Sequence, residues 1–205
     1  MGNYINGDLS IPHPHLIYNV KSITPQGKKV KMSDTQIKLG EVRLSFPSLF
    51  RKAVFDNVET KYEATVLMPK DSKQHKITQA AIDKFIAQTF KDGAPKGLKI
   101  TCFQDGDEKE YDGYAGMMAL KGSSNKRIPV FDKDTSPITE DDDKVYAGCY
   151  VNAIFDFWYS SHPKGGKQIL ANLLGVQFKK DGEPFSDAKV ASADAFDDES
   201  DEDDF

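Results

Sequence analysis

Hydrophobic and polar residues alternate in several segments after residue 35, which is the pattern of β-strands with one buried face. Residues 36–46 and 59–69 follow this two-residue period, and each segment stops at a proline. In the second segment, Tyr62 and Val66 fall on one face while Lys61 falls on the other. Further strands are expected at residues 98–103, 114–122, 145–160 and 169–182.

One segment has the period of a helix instead. Asp71 or Ser72 can cap its start, and Gly93 before Pro95 can end it. The apolar residues that would form one helical face are Ile77, Ala81, Ile82, Phe85 and Ile86. Six strands and one helix indicate a mainly β fold, either a small barrel or a sandwich with one inserted α-helix.

The two ends of the chain differ in composition from this central part, residues 35–185. Residues 1–34 are rich in Pro, Gly and His, and we expect an irregular N-terminal arm there. Residues 194–205 hold eight carboxylates and no Lys or Arg, so the net charge of −5 becomes +3 when they are left out. Dense like charge with few apolar residues cannot offset the entropy of ordering, so residues 186–205 are expected to be a disordered acidic tail.

Residue patterns typical of enzymes are absent from the sequence. The four histidines have no metal-ligand spacing with cysteine, and there is no HExxH, CxxC or GxSxG motif and no phosphate-binding loop. No apolar run reaches the roughly 18 residues that cross a bilayer, and residues 1–10 lack a secretory signal. We therefore expect a non-enzymatic cytoplasmic protein without a metal or other cofactor.

The strand predicted at residues 145–160 has two different faces, because successive side chains of a strand point to opposite sides. Its odd-numbered positions are apolar and form a core face. Its even-numbered positions carry Tyr146, Tyr150 and Trp158 beside Asn152. Exposed rings stack on nucleic-acid bases with little sequence preference, at roughly 1–3 kcal/mol per base. The alternative is that these rings pack against a second sheet or a partner protein.

Basic residues recur beside aromatic residues on the other predicted strands. Such interleaving suits a groove in which cations neutralise phosphates and rings stack on bases. The candidate phosphate contacts are Arg43, Arg51, Lys61, Lys70 and Lys126, and the candidate stacking residues are Phe46, Tyr62, Tyr150 and Trp158.

Four motifs follow one another along the chain, and the tail ends in Asp-Asp-Phe. The motifs are VRLSFPSLF (42–50), KYEATVLMPK (61–70), YAGCYVNAIFDFW (146–158) and LLGVQFKKDGEPF (173–185). In this joint order, residues 36–205 resemble a family of bacteriophage-encoded single-stranded DNA-binding proteins. The resemblance implies an OB-fold-type barrel, which agrees with six strands and a single inserted helix.

The resemblance also implies a function, namely sequence-nonspecific binding of single-stranded DNA during phage DNA replication and recombination in the host cell cytoplasm. The acidic tail would compete with DNA for the groove and would recruit phage or host replication and recombination proteins. Its candidate partner-binding residues are Asp201, Glu202, Asp203, Asp204 and Phe205. A homodimer is compatible with this hypothesis.

Two other functions fit parts of the sequence. A protein-interaction module would use the aromatic face as a protein interface and the acidic tail as a DNA mimic, and it would retain a basic partner rather than an oligonucleotide. A metal-dependent nuclease would use Asp141, Asp142 and Asp143, and it would degrade DNA in the presence of Mg²⁺ or Mn²⁺.

Overall fold

The computed structural model describes residues 32–185 of the chain. The first 31 residues of the predicted N-terminal arm, and the whole acidic tail, lie outside the described residues. The elements are β1 Gln36–Ser48, β2 Val54–Phe55, β3 Val58–Glu59, β4 Tyr62–Pro69, α1 Lys73–Thr89, β5 Lys99–Ile100, β6 Phe103–Asp105, β7 Met117–Ser124, β8 Val130–Phe131, β9 Tyr150–His162 and β10 Gly166–Lys180.

Five of these strands close a barrel in the order β1-β4-β7-β10-β9 and back to β1. Four of the pairings are antiparallel, whereas β7 and β10 run parallel at the seam, where Ser123 lies opposite Asn172. Closure pairs each of the five strands on both sides. The prediction of an OB-fold-type barrel with one inserted α-helix is confirmed.

The barrel interior is filled by one face of each long strand. On β9 the inward residues are Val151, Ala153, Phe155 and Phe157, as the alternation along this strand predicts. Gly122 of β7 lies against this layer, and a Cβ placed there would stand 2.7 Å from the Phe155 ring. A glycine is needed at this position because the large phenylalanine occupies the space of any side chain.

Helix α1 lies between β4 and β5 in the chain and buries Thr78, Ile82 and Phe85. The hydroxyl of Ser72 caps it by accepting a hydrogen bond from the His75 backbone N–H at 3.2 Å. The Phe85 ring lies 6.4 Å from that of Phe157, so the helix packs on the barrel core. Within the described part of the chain, no helix has the length and apolar character needed to cross a membrane.

Strand β1 departs from simple alternation at two places. Leu39 and Val42 are both buried although they are three residues apart, because the chain bulges at Glu41, whose φ is 56°. A second irregularity follows Leu44, where Phe46 has a φ of 47°. Strict alternation would bury Phe46 together with Leu44, but the bulge turns its ring outward and leaves it 53% exposed.

The strand predicted from residue 145 begins only at Tyr150. Residues 145–149 form a loop in which Gly148 has a φ of 107° and approaches the backbone of Glu183 closely. The Tyr146 ring therefore lies outside β9, whereas the alternation along residues 145–160 predicts it on the even-numbered face of the strand. Its hydroxyl donates to the Gly182 carbonyl at 3.0 Å, so this tyrosine holds the segment that follows β10.

Candidate nucleic-acid interface

A groove of about 490 Å³ lies on the outer face of β4 and β7. Glu63 and Thr65 of β4 line it together with Lys121 of β7. Its walls include Phe46, which the β1 bulge turns outward, and Val54 of the short β2–β3 hairpin. The groove therefore depends on strand irregularities and connections as much as on the barrel itself.

An aromatic cluster forms one wall of this groove. The rings of Phe46 and Tyr111 meet edge to face at 5.1 Å, and Tyr111 meets Tyr114 at 5.3 Å. Tyr114 is buried, and its hydroxyl donates to Ser45 Oγ at 3.3 Å. Burial raises the pKa of the Tyr114 hydroxyl. Phe46 and Tyr111 remain 53% and 54% exposed, so both rings are available to a ligand.

A second depression, of about 270 Å³, continues the groove toward β9 and β10. Thr101, Cys102 and Lys121 line both depressions, so the two form one surface. The far end is lined by Lys61 and by Trp158, which is 36% exposed. We call the whole surface the aromatic groove, defined by Phe46, Lys61, Lys109, Tyr111, Lys121 and Trp158.

Of the four charged side chains within residues 32–185 that line the aromatic groove, two form an ion pair with each other and the other two do not. Lys121 Nζ lies 2.8 Å from the carboxylate of Glu63, and both side chains line the groove. Lys61 and Lys109 make no ion pair with any residue between 32 and 185. Burial raises the pKa of the Cys102 thiol to about 12, so this thiol is neutral at physiological pH.

Arg43 and Tyr150, two of the predicted site residues, lie together and line neither part of this groove. The Arg43 guanidinium donates to the carbonyls of Glu183 at 2.6 Å and Gly148 at 3.3 Å. It also lies 4.1 Å from the centre of the Phe185 ring and 5.7 Å from that of Tyr150. We call this arrangement the arginine clamp, because it holds the last described residues against the barrel.

Tyr150 also contacts a second cation within the clamp. Lys180 Nζ lies 4.6 Å from the centre of the Tyr150 ring, and Lys180 is paired with Glu41. This ion pair lowers the pKa of Glu41 and raises that of Lys180. The ring and both neighbouring cations thus already have partners inside the protein.

Two further predicted phosphate contacts are held in ion pairs. Lys70 Nζ lies 2.7 Å from Asp105 and 2.6 Å from Asp107, which raises the pKa of Lys70 and lowers those of both aspartates. Arg51 lies 2.8 Å from Glu140. A phosphate would have to displace a carboxylate at each of these cations.

The remaining predicted site residues of the described range do not line the aromatic groove. Tyr62 is half-buried against the barrel core, and Lys126 is exposed after β7 with no ion pair in the described range. The five tail residues lie outside the described part of the chain. Of the nine predicted DNA-binding residues, the structure brings together Phe46, Lys61 and Trp158 in the aromatic groove.

Tyr111 is the main residue of the groove that sequence reasoning missed. It lies in an acidic turn whose composition resembles any solvated loop, and only its contact with Phe46 reveals it. The β2–β3 hairpin was also missed, although Asp56-Asn57 between two short apolar stretches is a signal for a tight turn.

Within residues 32–185 no group of three or more His, Cys, Asp or Glu side chains is placed to hold a metal ion, and Asp142 instead accepts hydrogen bonds from Thr139.

The sequence model of the family described as "Enterobacter phage Enc34, ssDNA-binding protein" matches residues 35–205. The chain belongs to this family. The assignment confirms the family resemblance of the four motifs and the tail. It also confirms a non-enzymatic protein, because the family is one of single-stranded DNA-binding proteins.

Individual relatives agree with this assignment. Protein p50 of Acyrthosiphon pisum secondary endosymbiont phage 1 is 39% identical over 174 residues, which cover 80% of this chain and 93% of p50. The single-stranded DNA-binding protein of bacteriophage Enc34, solved in complex with ssDNA, is 31% identical with a TM-score of 0.62, covering 78% of this chain and 97% of that one. The same Enc34 protein solved on its own gives a TM-score of 0.61 at 31% identity, covering 83% and 97%.

Proposed function

We propose that this chain is a sequence-nonspecific single-stranded DNA-binding protein of phage DNA replication and recombination, and that the strand lies in the aromatic groove. The observation that carries the proposal is the continuous surface across β4, β7, β9 and β10, on which exposed rings lie among lysines. The family and the Enc34 complex with ssDNA support it. The outer face of the second and third barrel strands is where OB-folds bind oligonucleotides.

Bases stack on the three exposed rings of the groove, Phe46, Tyr111 and Trp158. Every base presents a π-face, so stacking contributes roughly 1–3 kcal/mol per base with little sequence preference. Sequence tolerance follows from this mode of binding.

Phosphates are neutralised by the lysines of the groove. Lys61 and Lys109 have no carboxylate partner among residues 32–185, and Lys121 exchanges Glu63 for a phosphate when DNA enters. Each neutralised phosphate adds about −0.7 to the slope of log affinity against log salt for a single strand. Lys126, on the loop after β7, extends this positive surface.

The other predicted site residues act indirectly in this proposal. Their hydrogen bonds, ion pairs and core contacts stabilise the barrel and the segments around the groove. These supporting residues are Arg43, Arg51, Tyr62, Lys70 and Tyr150.

The acidic tail competes with DNA for the groove and, once displaced, is free to recruit replication and recombination proteins. The position of Phe185 supports this part of the proposal, since it packs in a small cluster with Tyr114, the buried ring of the groove wall. Asp194, the first of the eight clustered carboxylates, follows nine residues later, within about 30 Å of extended chain. Opposite charge then favours contact between the tail and the lysines of the groove.

The experiment that tests DNA binding follows the fluorescence of Trp158, the single tryptophan, during titration with a short oligo-dT at low and high salt. We expect quenching that weakens with salt and is smaller with duplex of equal length. An unchanged signal together with no shift in a native gel would contradict the proposal and favour the protein-interaction module.

The tail is tested by comparing the full chain with a chain that ends at Ala193. We expect the shorter chain to bind oligo-dT more tightly at low salt, and the difference to shrink as salt screens the tail. Equal affinities at low salt would exclude competition while leaving DNA binding intact.

A further inference from the structure

The β2–β3 hairpin carries an apolar face that the proposed function does not use. Its turn residues Asp56 and Asn57 have φ values of 49° and 61°, as a tight two-residue hairpin turn requires. Phe55 pairs directly with Val58 across the hairpin, and these side chains are 72% and 63% exposed. We call these two side chains the hairpin face.

The hairpin face is directed away from the aromatic groove. Val54 and Glu59 form the other cross-strand pair, and Val54 lines the groove. Because neighbouring residues of a strand point to opposite sides of the ribbon, Phe55 and Val58 lie on the side away from the groove. Two large apolar side chains exposed there call for a partner other than the DNA in the groove.

A matching apolar depression of about 310 Å³ lies on the outer surface of β9 and β10. Phe131 and Leu174 are each 37% exposed within it. We call it the apolar groove; its main lining residues are Lys38, Pro129, Phe131, Ile154 and Leu174.

We propose that the hairpin face of one copy inserts into the apolar groove of the next copy, so that copies bound along single-stranded DNA contact one another. The charges fit, since Asp56 at the hairpin turn and Lys38 at the groove both lack an ion pair among residues 32–185. The hairpin face lies on the separate β2–β3 sheet and the apolar groove lies on the barrel strands β9 and β10, so the contact joins two different surfaces head-to-tail and can extend into a row. This inference rests on the proposed function only in that the row of copies forms along single-stranded DNA.

The first test compares binding of a short oligo-dT, which holds one copy, with a long one, which holds many. We expect the wild-type chain to bind the long oligonucleotide more tightly per site. Phe55→Ser and Leu174→Asp should each lose about tenfold or more of this gain, because burying one large apolar side chain is worth at least that factor. Binding to the short oligonucleotide should stay within about twofold, and circular dichroism should show both variants folded.

The second test uses the complementarity of the two surfaces. Phe55→Ser keeps an intact apolar groove and Leu174→Asp keeps an intact hairpin face, so an equimolar mixture should form pairs that neither variant forms alone. Asp56→Lys and Lys38→Asp should each weaken the gain, and the double variant should recover it. Asp92→Lys, at an exposed turn after α1, is the matched control and should behave as wild type.

Three results would overturn the inference. Equal wild-type affinity per site for short and long oligonucleotides would exclude contacts between copies and leave the proposed function standing. Weaker binding of the short oligonucleotide by Phe55→Ser would place the hairpin face on DNA instead. A mixture of the two variants that forms no pairs would show that these two surfaces do not meet. Absence of wild-type binding to either oligonucleotide would instead contradict the proposed function.

Discussion

The aromatic groove and the arginine clamp contain the same kinds of residue, yet their contacts differ. In the clamp, the Arg43 guanidinium binds two backbone carbonyls and lies against the Phe185 ring. In the aromatic groove, Lys61 has no carboxylate partner in the described range, and Tyr111 keeps 54% of its surface exposed. Cations beside rings therefore indicate a binding surface only where their hydrogen bonds and ring faces are not already used inside the protein.

The two regions use different cations because their tasks differ. The clamp holds residues 182–185, which follow the last strand and have few ladder hydrogen bonds of their own. A planar guanidinium with five donors suits this task better than a lysine. The groove contains lysines, whose charge at the end of a flexible stem can follow a phosphate backbone without a fixed geometry.

The largest expected effect is on the affinity for DNA, and it distinguishes the rings of the aromatic groove from the Tyr150 ring of the arginine clamp. Replacing Phe46 and Tyr111 together by alanine should weaken oligo-dT binding roughly 30-fold or more, because two stacking surfaces are lost. Tyr150→Ala is the matched control and should change affinity by less than about threefold. Fluorescence anisotropy with labelled oligo-dT measures both, after circular dichroism shows that the variants are folded. A large loss for Tyr150→Ala alone would move the DNA path to the clamp.

The next effect is on stability and should appear only in the clamp. Arg43→Ala should lower the free energy of unfolding by about 2–3 kcal/mol, since two charge-assisted hydrogen bonds and the ring contacts are lost. Arg43→Lys should not restore it, because an ammonium cannot make both bonds in the same plane. Lys121→Met, in the exposed ion pair of the groove, should change stability by less than about 1 kcal/mol. Urea denaturation followed by circular dichroism distinguishes these outcomes.

A smaller effect concerns the salt dependence of binding. Lys61→Met and Lys121→Met should each reduce the slope of log affinity against log salt by about 0.7, the amount expected for one phosphate on a single strand. Lys144→Met should leave the slope unchanged, because Lys144 pairs with Asp132 at 2.5 Å outside the groove. Equal slopes for all three variants and the wild type would argue against phosphate contacts in the groove.

The smallest effect tests another internally satisfied cation, Lys70. The ion pairs with Lys70 lower the pKa values of Asp105 and Asp107. The two ionised aspartates therefore contribute stability above the ordinary aspartate pKa, and this contribution is lost as the pH falls through the lowered values. The pKa of Lys70 is raised, so its own contribution persists at neutral pH. The midpoint of thermal unfolding of Lys70→Met should therefore be below that of wild type at pH 7, and the difference should disappear as the pH falls through the lowered pKa values of Asp105 and Asp107. A difference that persists in acid would show that Lys70 stabilises the fold through packing instead.

The sequence by itself determined the helix, the long strands and the inward side of most of them, because these depend on local periodicity. On β9 the alternation placed Phe155 inside the barrel and Trp158 outside, as observed. The helix with a cap at Asp71 or Ser72 also followed from local patterns. The family, and with it the choice of a barrel over a sandwich, followed from the order of the four motifs.

Only the tertiary structure decided which cations and rings are available to a ligand. Lys70 is engaged by Asp107, 37 residues away, and Arg43 by Glu183, 140 residues away, so their partners are invisible to any local pattern. Phe46 reached the surface through a bulge that breaks the two-residue period, and Tyr111 reached it through a turn that folds beside Phe46. Availability is a property of long-range contacts, because a charge or ring is free only when the fold brings no internal partner to it.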